Sequence, residues 1–447
     1  MTYLAMDIGA SSGKLVRAEL KEGRISTSVV HRFQNNLIRT GGHLCWDIEH
    51  LYDELVAGLE KAGPADYVTI DTWAVDFVLL DSRGQLLTPA VSYRDNRTDN
   101  VSCPVTREEL YARTGIQYQK FNTIYQLLAL RKEDPGVLEK AEDLLFIPDY
   151  LAWRLTGEKV QEYTNATTSG LVKAGTDEWD YDLIDSLGLP RRLFRKMTKC
   201  GKVLGKVRQC GASFILAPTH DTACAVLASP AGPDSLFLSS GTWSLIGCVN
   251  DSAVTTRKAM EYNLTNEGAW DGRIRLLKNI MGTWMLQCIR KEAGDISFDE
   301  MCKEAKNSRL PGIVDAMDSR FLSPSSMSDE VCAALEEAGR ERPSGIGELA
   351  NVVYNSLAVA YAKAAEQISE VTGRRFTHLA VVGGGCKDAY LNTLAKKYTG
   401  LEVTAGPVEG SAVGSILCAM INTGEIRKED VPAILAASFD IATVQEE

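Results

Sequence analysis

Alternating apolar and polar positions open the chain. Residues 3–8, 14–20 and 26–33 each carry the two-residue period of a strand. Gly9-Ala10-Ser11-Ser12-Gly13 and Glu22-Gly23 turn the chain between them, so the first three elements read as a meander of hairpins. Asp47 then precedes Ile48, Leu51, Leu55 and Leu59, the spacing of a capped amphipathic helix. Residues 67–70 and 77–80 read as strands, with a turn at Asp81-Ser82-Arg83-Gly84. From 106 to 157 the pattern is mostly helical. Thr106 and Asn122 are the expected caps, Pro148 starts a helix and Gly157 stops it.

Further on, the apolar run 214–217 predicts a buried strand that delivers His220 and Asp221 just before a small-residue helix at Thr222. Residues 237–249 predict a second hairpin, turning at Ser239-Ser240-Gly241-Thr242. A helix over 281–291 carries Gln287, the longest helix is expected over 348–372, and Gly373 stops it. A strand over 378–382 runs into Gly383-Gly384-Gly385 and a helix over 388–398. Each half thus opens with strand, small-residue turn, strand. The best boundary is Ser229-Pro230-Ala231-Gly232-Pro233, which divides the chain into domains 1–229 and 230–447.

Length agrees with that division, since 447 residues exceed what one core organises. The net charge of -11 argues against nucleic acid and against anionic membrane surfaces as partners. Eleven cysteines without Cys-x-x-Cys spacing, and five histidines apart from them, argue against a zinc site and a disulfide framework, so a reducing cytosol is expected. The N-terminus meets Asp7 too early for a signal peptide, and no apolar run is long enough for a membrane span.

The chemistry concentrates at the turns. A Walker A loop needs four residues between its glycines and Ser or Thr after its Lys; here three intervene and Leu15 follows Lys14. A dinucleotide fingerprint needs a helix after the glycines, whereas residues 15–20 read as strand. What remains is a hairpin phosphate loop behind an acid, Asp7, placed to hold Mg²⁺ through water. Asp221, at a strand end, is placed to take a proton from a bound hydroxyl. Around Asp71-Thr72-Trp73-Ala74-Val75-Asp76, a polyol site and a core Trp with solvated acids are equally good readings. The glycine run 383–385 fits either close approach of a ligand or a tight turn.

Taken in order, Asp7-Ile8-Gly9-Ala10-Ser11-Ser12-Gly13, Asp71-Thr72-Trp73, Tyr93-Arg94-Asp95, His220-Asp221-Thr222, Ser240-Gly241-Thr242-Trp243-Ser244 and Gly383-Gly384-Gly385 resemble the FGGY carbohydrate kinases. The resemblance implies an α/β fold of two ribonuclease-H-like, actin/hexokinase-type domains, with a nucleotide- and sugar-binding cleft between them. It implies that Ala10, Ser11, Ser12, Gly13, Lys14 and Thr242 meet the phosphates of ATP, with Gln287 and Gly384 beside the nucleotide. Ala74, His220, Asp221, Thr222 and Asn279 would line the sugar site, with Asp221 as catalytic base. Glu162-Tyr163-Thr164-Asn165, Asn266-Glu267-Gly268 and Leu277-Lys278-Asn279-Ile280-Met281-Gly282 narrow the expectation to phosphorylation of L-rhamnulose at its C1 hydroxyl. L-fuculose or a ketopentose is the alternative substrate, and a non-catalytic binder on the same fold the alternative class. Lys14 stands where many relatives carry Arg, and Ala74 where Gly is expected.

Overall fold

A computed structural model of the chain describes residues 1–308, 310, 312–322 and 324–445. The chain forms two units. The first comprises Met1–Ala228, Val249–Leu276 and Gly410–Ser438; the second comprises Ser229–Cys248, Leu277–Glu409 and Phe439–Glu447.

The first unit is built on a six-stranded sheet. Its order is Arg24–Gln34, Ser12–Lys21, Thr2–Ile8, Tyr67–Thr72, Ser213–Ile215, Val203–Lys206. The first three strands are the antiparallel meander expected from the alternation. Tyr67–Thr72 then runs parallel to Thr2–Ile8, and Ser213–Ile215 parallel to it in turn. Parallel neighbours require crossovers, and the first is the helix Ile48–Ala62. Asp47 caps that helix, its Oδ1 accepting from His50 N at 3.1 Å. Leu51, Leu55 and Leu59 face inward against Leu4, Met6, Val68 and Phe214 of the sheet.

A further apolar cluster gathers around a hairpin of Phe77–Leu80 with Asp143–Phe146, a strand that the helical reading of 106–157 did not anticipate. Asp-Leu-Leu-Phe is a short apolar run that abuts the helix Ile147–Thr156, so its periodicity gives no warning. Behind the sheet the helix Gly410–Asn422 packs on the helix Asp221–Leu227 so closely that a Cβ at Gly414 would overlap the Cys224 carbonyl.

The second unit repeats the plan. Ser235–Ser240 and Trp243–Asn250 form an antiparallel hairpin, and Ile274–Met281 follows Trp243–Asn250 in the sheet. His378–Val382 lies parallel to Ser235–Ser240, Glu402–Ala405 parallel to His378–Val382, and Ala442–Thr443 closes the edge antiparallel. The longest helix, Ile346–Thr372, ends at Gly373 with φ 65°. Among the described residues no helix is long and apolar enough to cross a membrane.

Candidate functional site

In the first unit, strand register sets three charged side chains in a row. Asp7 pairs with Lys14 on one side and with Asp71 on the other, which puts all three on one face at the strand ends. Lys14 Nζ lies 3.1 Å from Asp7 Oδ2. The turn between the two strands is tied by Gly9 N to Ser12 O at 2.9 Å. Asn35, just past the third strand, staples it, donating through Nδ2 to Gly9 O at 2.9 Å. Gly13 lies against the Phe33 ring with no room for a Cβ. Ser11 and Ser12 stay exposed, and Ala10 is half-buried.

Asp71 is fully buried, and neither carboxyl oxygen has a well-formed hydrogen bond; the Ser415 hydroxyl faces it. Burial first, then the charges of Asp7 and Asp221, push its carboxyl well above the ordinary carboxylate range. Asp71 and Asp76 look equivalent in the chain, and the structure separates them. Asp76 Oδ2 accepts from Trp46 Nε1 at 2.6 Å, Trp73 Nε1 at 3.0 Å and Tyr93 N at 3.0 Å, while Oδ1 accepts from Gln126 Nε2 at 2.8 Å. Asp76 is therefore a satisfied core carboxylate, and Trp73 is a core residue, its ring centroid 4.1 Å from that of Trp46. Ala74, between them, is half-buried.

Asp221 opens a short helix next to the end of the Tyr67–Thr72 strand, where Thr72 bridges to His220. Its Oδ1 accepts from Thr222 N at 2.6 Å and Thr222 Oγ1 at 3.1 Å. The side chain keeps 31% of its exposure, so water reaches it. Partial desolvation and the charge of Asp7 raise its carboxyl to about 7, against the pull of Thr222 and Arg275. A carboxylate with that value near neutral pH suits a general base.

Glu162 anchors the backbone that carries this pair. Its Oε2 accepts from Thr164 N, Thr164 Oγ1, Asn165 N, Thr219 N and Thr219 Oγ1 at 2.6–3.2 Å. That knot joins the segment 162–165 to the residue just before His220.

Arg275 is a functional candidate that the sequence pattern does not single out. Arg275 has no exposed side-chain area; its Nε donates to Gly268 O at 2.9 Å and its Nη2 reaches Glu267 Oε2 at 3.2 Å. The same Nη2 lies 3.1 Å from His220 Nδ1. On the other side of the ring, His220 Nε2 is 3.5 Å from Asp221 Oδ1. A charged residue inside an apolar strand, Ile274–Met281, was the available signal.

In the second unit, Ser240 pairs with Ser244, and the turn between them contains Gly241 and Thr242. Its carbonyls point at the start of the helix Trp284–Glu292. Thr283 N and Oγ1 donate to Gly241 O at 3.0 and 2.8 Å, and Gly282 N donates to Thr242 O at 3.2 Å. Gln287 lies on that helix, its Nε2 donating to Thr283 Oγ1 at 3.0 Å. Gly383 and Gly385 are explained by packing, because a Cβ on either would strike Ser240. Gly384 is exposed with open space around it. Asn279 Oδ1 is buried and makes no hydrogen bond to protein. Thr242, Asn279, Gln287 and Gly384 thus belong to the second unit, and the remaining site candidates to the first.

Among the described residues no three His, Cys, Asp or Glu side chains are arranged to enclose a metal. Mg²⁺ asks for less, one or two carboxylates with water and phosphate completing the shell. Asp7, beside a buried carboxyl with unfilled acceptors, meets that requirement.

Residues 2–219 match the N-terminal domain of the FGGY family of carbohydrate kinases, and residues 236–423 match its C-terminal domain. The chain is 44% identical to a rhamnulokinase of Oceanobacillus iheyensis over 98% of this chain and 97% of the relative. It is 38% identical to a rhamnulokinase of Bacillus subtilis over 99% and 94%. Among solved structures, a ligand-bound xylulose kinase from Lactobacillus acidophilus superposes with a TM-score of 0.79 at 17% identity, covering 100% of this chain and 94% of that one. Plasmodium falciparum glycerol kinase with ADP superposes with a TM-score of 0.78 at 14% identity, again over 100% and 94%. These likenesses give the two-domain actin/hexokinase-type α/β fold, and the matched domains identify the chain as an ATP-dependent sugar kinase that belongs to the FGGY family of carbohydrate kinases.

Proposed function

We propose that the protein transfers the γ-phosphoryl group of ATP to the C1 hydroxyl of L-rhamnulose, yielding L-rhamnulose 1-phosphate and ADP in rhamnose catabolism. The observation that carries the mechanism is Asp221, partly exposed at the start of a short helix with its carboxyl raised to about 7. Asp221 accepts the C1 hydroxyl proton as that oxygen bonds the γ-phosphorus. The bond from the γ-phosphorus to the bridging oxygen breaks, and that oxygen leaves with ADP. His220, Thr222, Ala74 and Asn279 line the ketose. Ala10, Ser11, Ser12, Gly13 and Lys14 of the first hairpin and Thr242 of the second meet the phosphates, with Gln287 and Gly384 beside the nucleotide. Asp7 would hold Mg²⁺, which would supply charge neutralisation to the phosphates. Residues 1–229 serve most of the ketose site and the first phosphate turn, and residues 230–447 the nucleotide and, through Asn279, the ketose, in the cytoplasm.

Relatives named rhamnulokinase, aligned over nearly the whole chain, support the choice of sugar. The test is ADP release over a panel of L-rhamnulose, L-fuculose and L-xylulose. L-Rhamnulose is expected to give the highest kcat/KM. A clear preference for another ketose would overturn the choice of substrate, and no ADP release from any of them would overturn the kinase reading.

A further inference from the structure

The mechanism above gives work to His220 and Asp221 but none to Arg275, a fully buried cation one turn of hydrogen bonds behind them. A guanidinium has only donors. Its Nη2, 3.1 Å from His220 Nδ1, therefore meets a lone pair there, which leaves the ring proton on Nε2. Glu267 offers the competing arrangement. Its Oε2 lies 3.5 Å from the same Nδ1 and would accept a proton from it. Which tautomer His220 adopts is decided by which of these two neighbours claims Nδ1. Arg275 is nearer, and Glu267 is already engaged by Nη2 of Arg275 at 3.2 Å. Burial, and then the Arg275 charge, hold the His220 imidazole well below its ordinary pKa, so the ring is neutral and the tautomer matters.

We infer that Arg275 is a positioning residue: through its hydrogen bond to Nδ1 it fixes His220 as the Nε2–H tautomer, setting a donor beside the carboxylate of Asp221. Nε2 stands 3.5 Å from Asp221 Oδ1, longer than an ordinary hydrogen bond, so the N–H is available to an oxygen of the ketose. Donor and acceptor side by side define one orientation of a hydroxymethyl group. In the opposite tautomer Nε2 is an acceptor next to an acceptor, and that orientation is lost. The part concerning the ketose rests on the function proposed above; the tautomer itself does not.

The test reads the ring directly. Nitrogen NMR of the imidazoles in the full-length protein without substrate, with His220 assigned by comparison with His220→Gln, reports the tautomer. The parent is expected to show Nε2–H. Arg275→Met is expected to move the proton to Nδ1, against Glu267. With L-rhamnulose and ATP, Arg275→Met should lower kcat and raise KM for the ketose. The combined loss in kcat/KM is expected to be on the order of 10²-fold, the cost of a small misplacement of reacting groups. KM for ATP should stay near the parent value. Arg275→Lys, which keeps a donor, should retain Nε2–H and recover activity to within about tenfold of the parent. A parent with Nδ1–H, or an Arg275→Met protein with unchanged tautomer and kinetics, overturns the inference. If Arg275→Met does not fold, the parent and Arg275→Lys decide, and a Lys variant that keeps activity with the proton on Nδ1 overturns it equally. A parent that phosphorylates no ketose defeats the functional proposal while the ring spectra still test the tautomer.

Discussion

The two units place a hairpin at the same point of the same sheet plan, yet the two turns are furnished differently. In the first, the strand leading into the turn carries Asp7 next to its end, its antiparallel partner supplies Lys14 and its parallel partner supplies Asp71. In the second, Ser239 lies beside Leu245 and Val382, and Ser240 beside Ser244. Tyr361, fully buried, bonds Ser244 at 2.7 Å. One scaffold therefore carries ionisable groups at its strand ends, and the other neutral hydroxyls with capped backbone carbonyls. The charged set is poorly satisfied within the protein, as the bare oxygens of Asp71 and the raised carboxyl of Asp221 record. The neutral set is satisfied in part: the Gly241 and Thr242 carbonyls and the Ser244 hydroxyl have partners, whereas the buried Ser240 hydroxyl has none. Unsatisfied charge is what a reacting centre needs, because it is free to move a proton or hold a cation. An uncharged turn with its carbonyls occupied suits the holding of a ligand that does not react at that end.

The sharpest way to break this contrast is Asp221→Asn. The amide keeps the shape and the Thr222 contacts but cannot take a proton, so kcat should fall by roughly 10²–10⁴-fold with ketose affinity largely kept. Turnover within a few-fold of the parent would remove Asp221 from the chemistry. The same group predicts a pH dependence. Its carboxyl is raised to about 7, so the base form is lost as pH falls through that value. kcat/KM for the ketose should rise with pH up to about 7 and then level off. A profile already flat from pH 5 upward would contradict it.

Asp7→Ala comes next. A carboxylate that acts on a metal through water is expected to give a loss of about 10–100-fold in metal affinity or activity. The Mg²⁺ titration should shift to higher concentration. An unchanged titration would make Asp7 a structural partner of Lys14, and the first hairpin would then resemble the second more than its charges suggest.

The second hairpin is tested through its glycines. A Cβ at Gly282 would lie 2.5 Å from Gly241 O and 2.7 Å from Thr242 O, both backbone atoms that cannot swing away. Gly282→Ala should cost about 1–3 kcal/mol of stability, the usual range for overpacking, measured by denaturant unfolding. Gly384→Ala meets nothing within 4 Å and should stay within about 0.5 kcal/mol of the parent while raising KM for ATP. Equal effects of the two on stability would erase the distinction between a packing glycine and a ligand-facing one.

This distinction also marks how far the sequence could be read. Both hairpins were legible, because two-residue alternation broken by Gly and Ser has few other meanings. The long helix with its Gly373 stop was legible for the same reason. The glycine run 383–385 was not resolvable from sequence, since two of its members serve Ser240 and one faces open space, and all three look alike in the chain. Asp71 and Asp76 were likewise equivalent until the indole N–H groups of Trp46 and Trp73 were seen to converge on Asp76 alone. Arg275 was hidden by its setting. A buried cation in an apolar strand takes its meaning from Glu267 and His220, and those contacts exist only after folding.

The smallest effect is expected at Ala74, the position that separates this sugar site from the family pattern. The backbone on both sides of it is fixed. Before it, Trp73 is pinned by its bond to Asp76 and its packing on Trp46. After it, Val75 holds φ 69°, a conformation rare for a β-branched residue, with its carbonyl accepting from Thr123 Oγ1 at 2.7 Å. Ala74 itself is not in that left-handed region, so glycine is not required there by the backbone. Removing the methyl group therefore leaves the loop in place and changes only the local surface of a half-buried residue. One methyl-sized change in a binding wall is worth about 1–3 kcal/mol when it touches the ligand tightly, or roughly 10–200-fold. With the loop held as it is, Ala74→Gly should change kcat/KM for L-rhamnulose by less than about tenfold, the low end of that range. Measuring kcat/KM for L-rhamnulose, L-fuculose and L-xylulose in both forms checks it. A parent that prefers the pentulose, with preference moving to L-rhamnulose in Ala74→Gly, would show that this methyl selects the sugar.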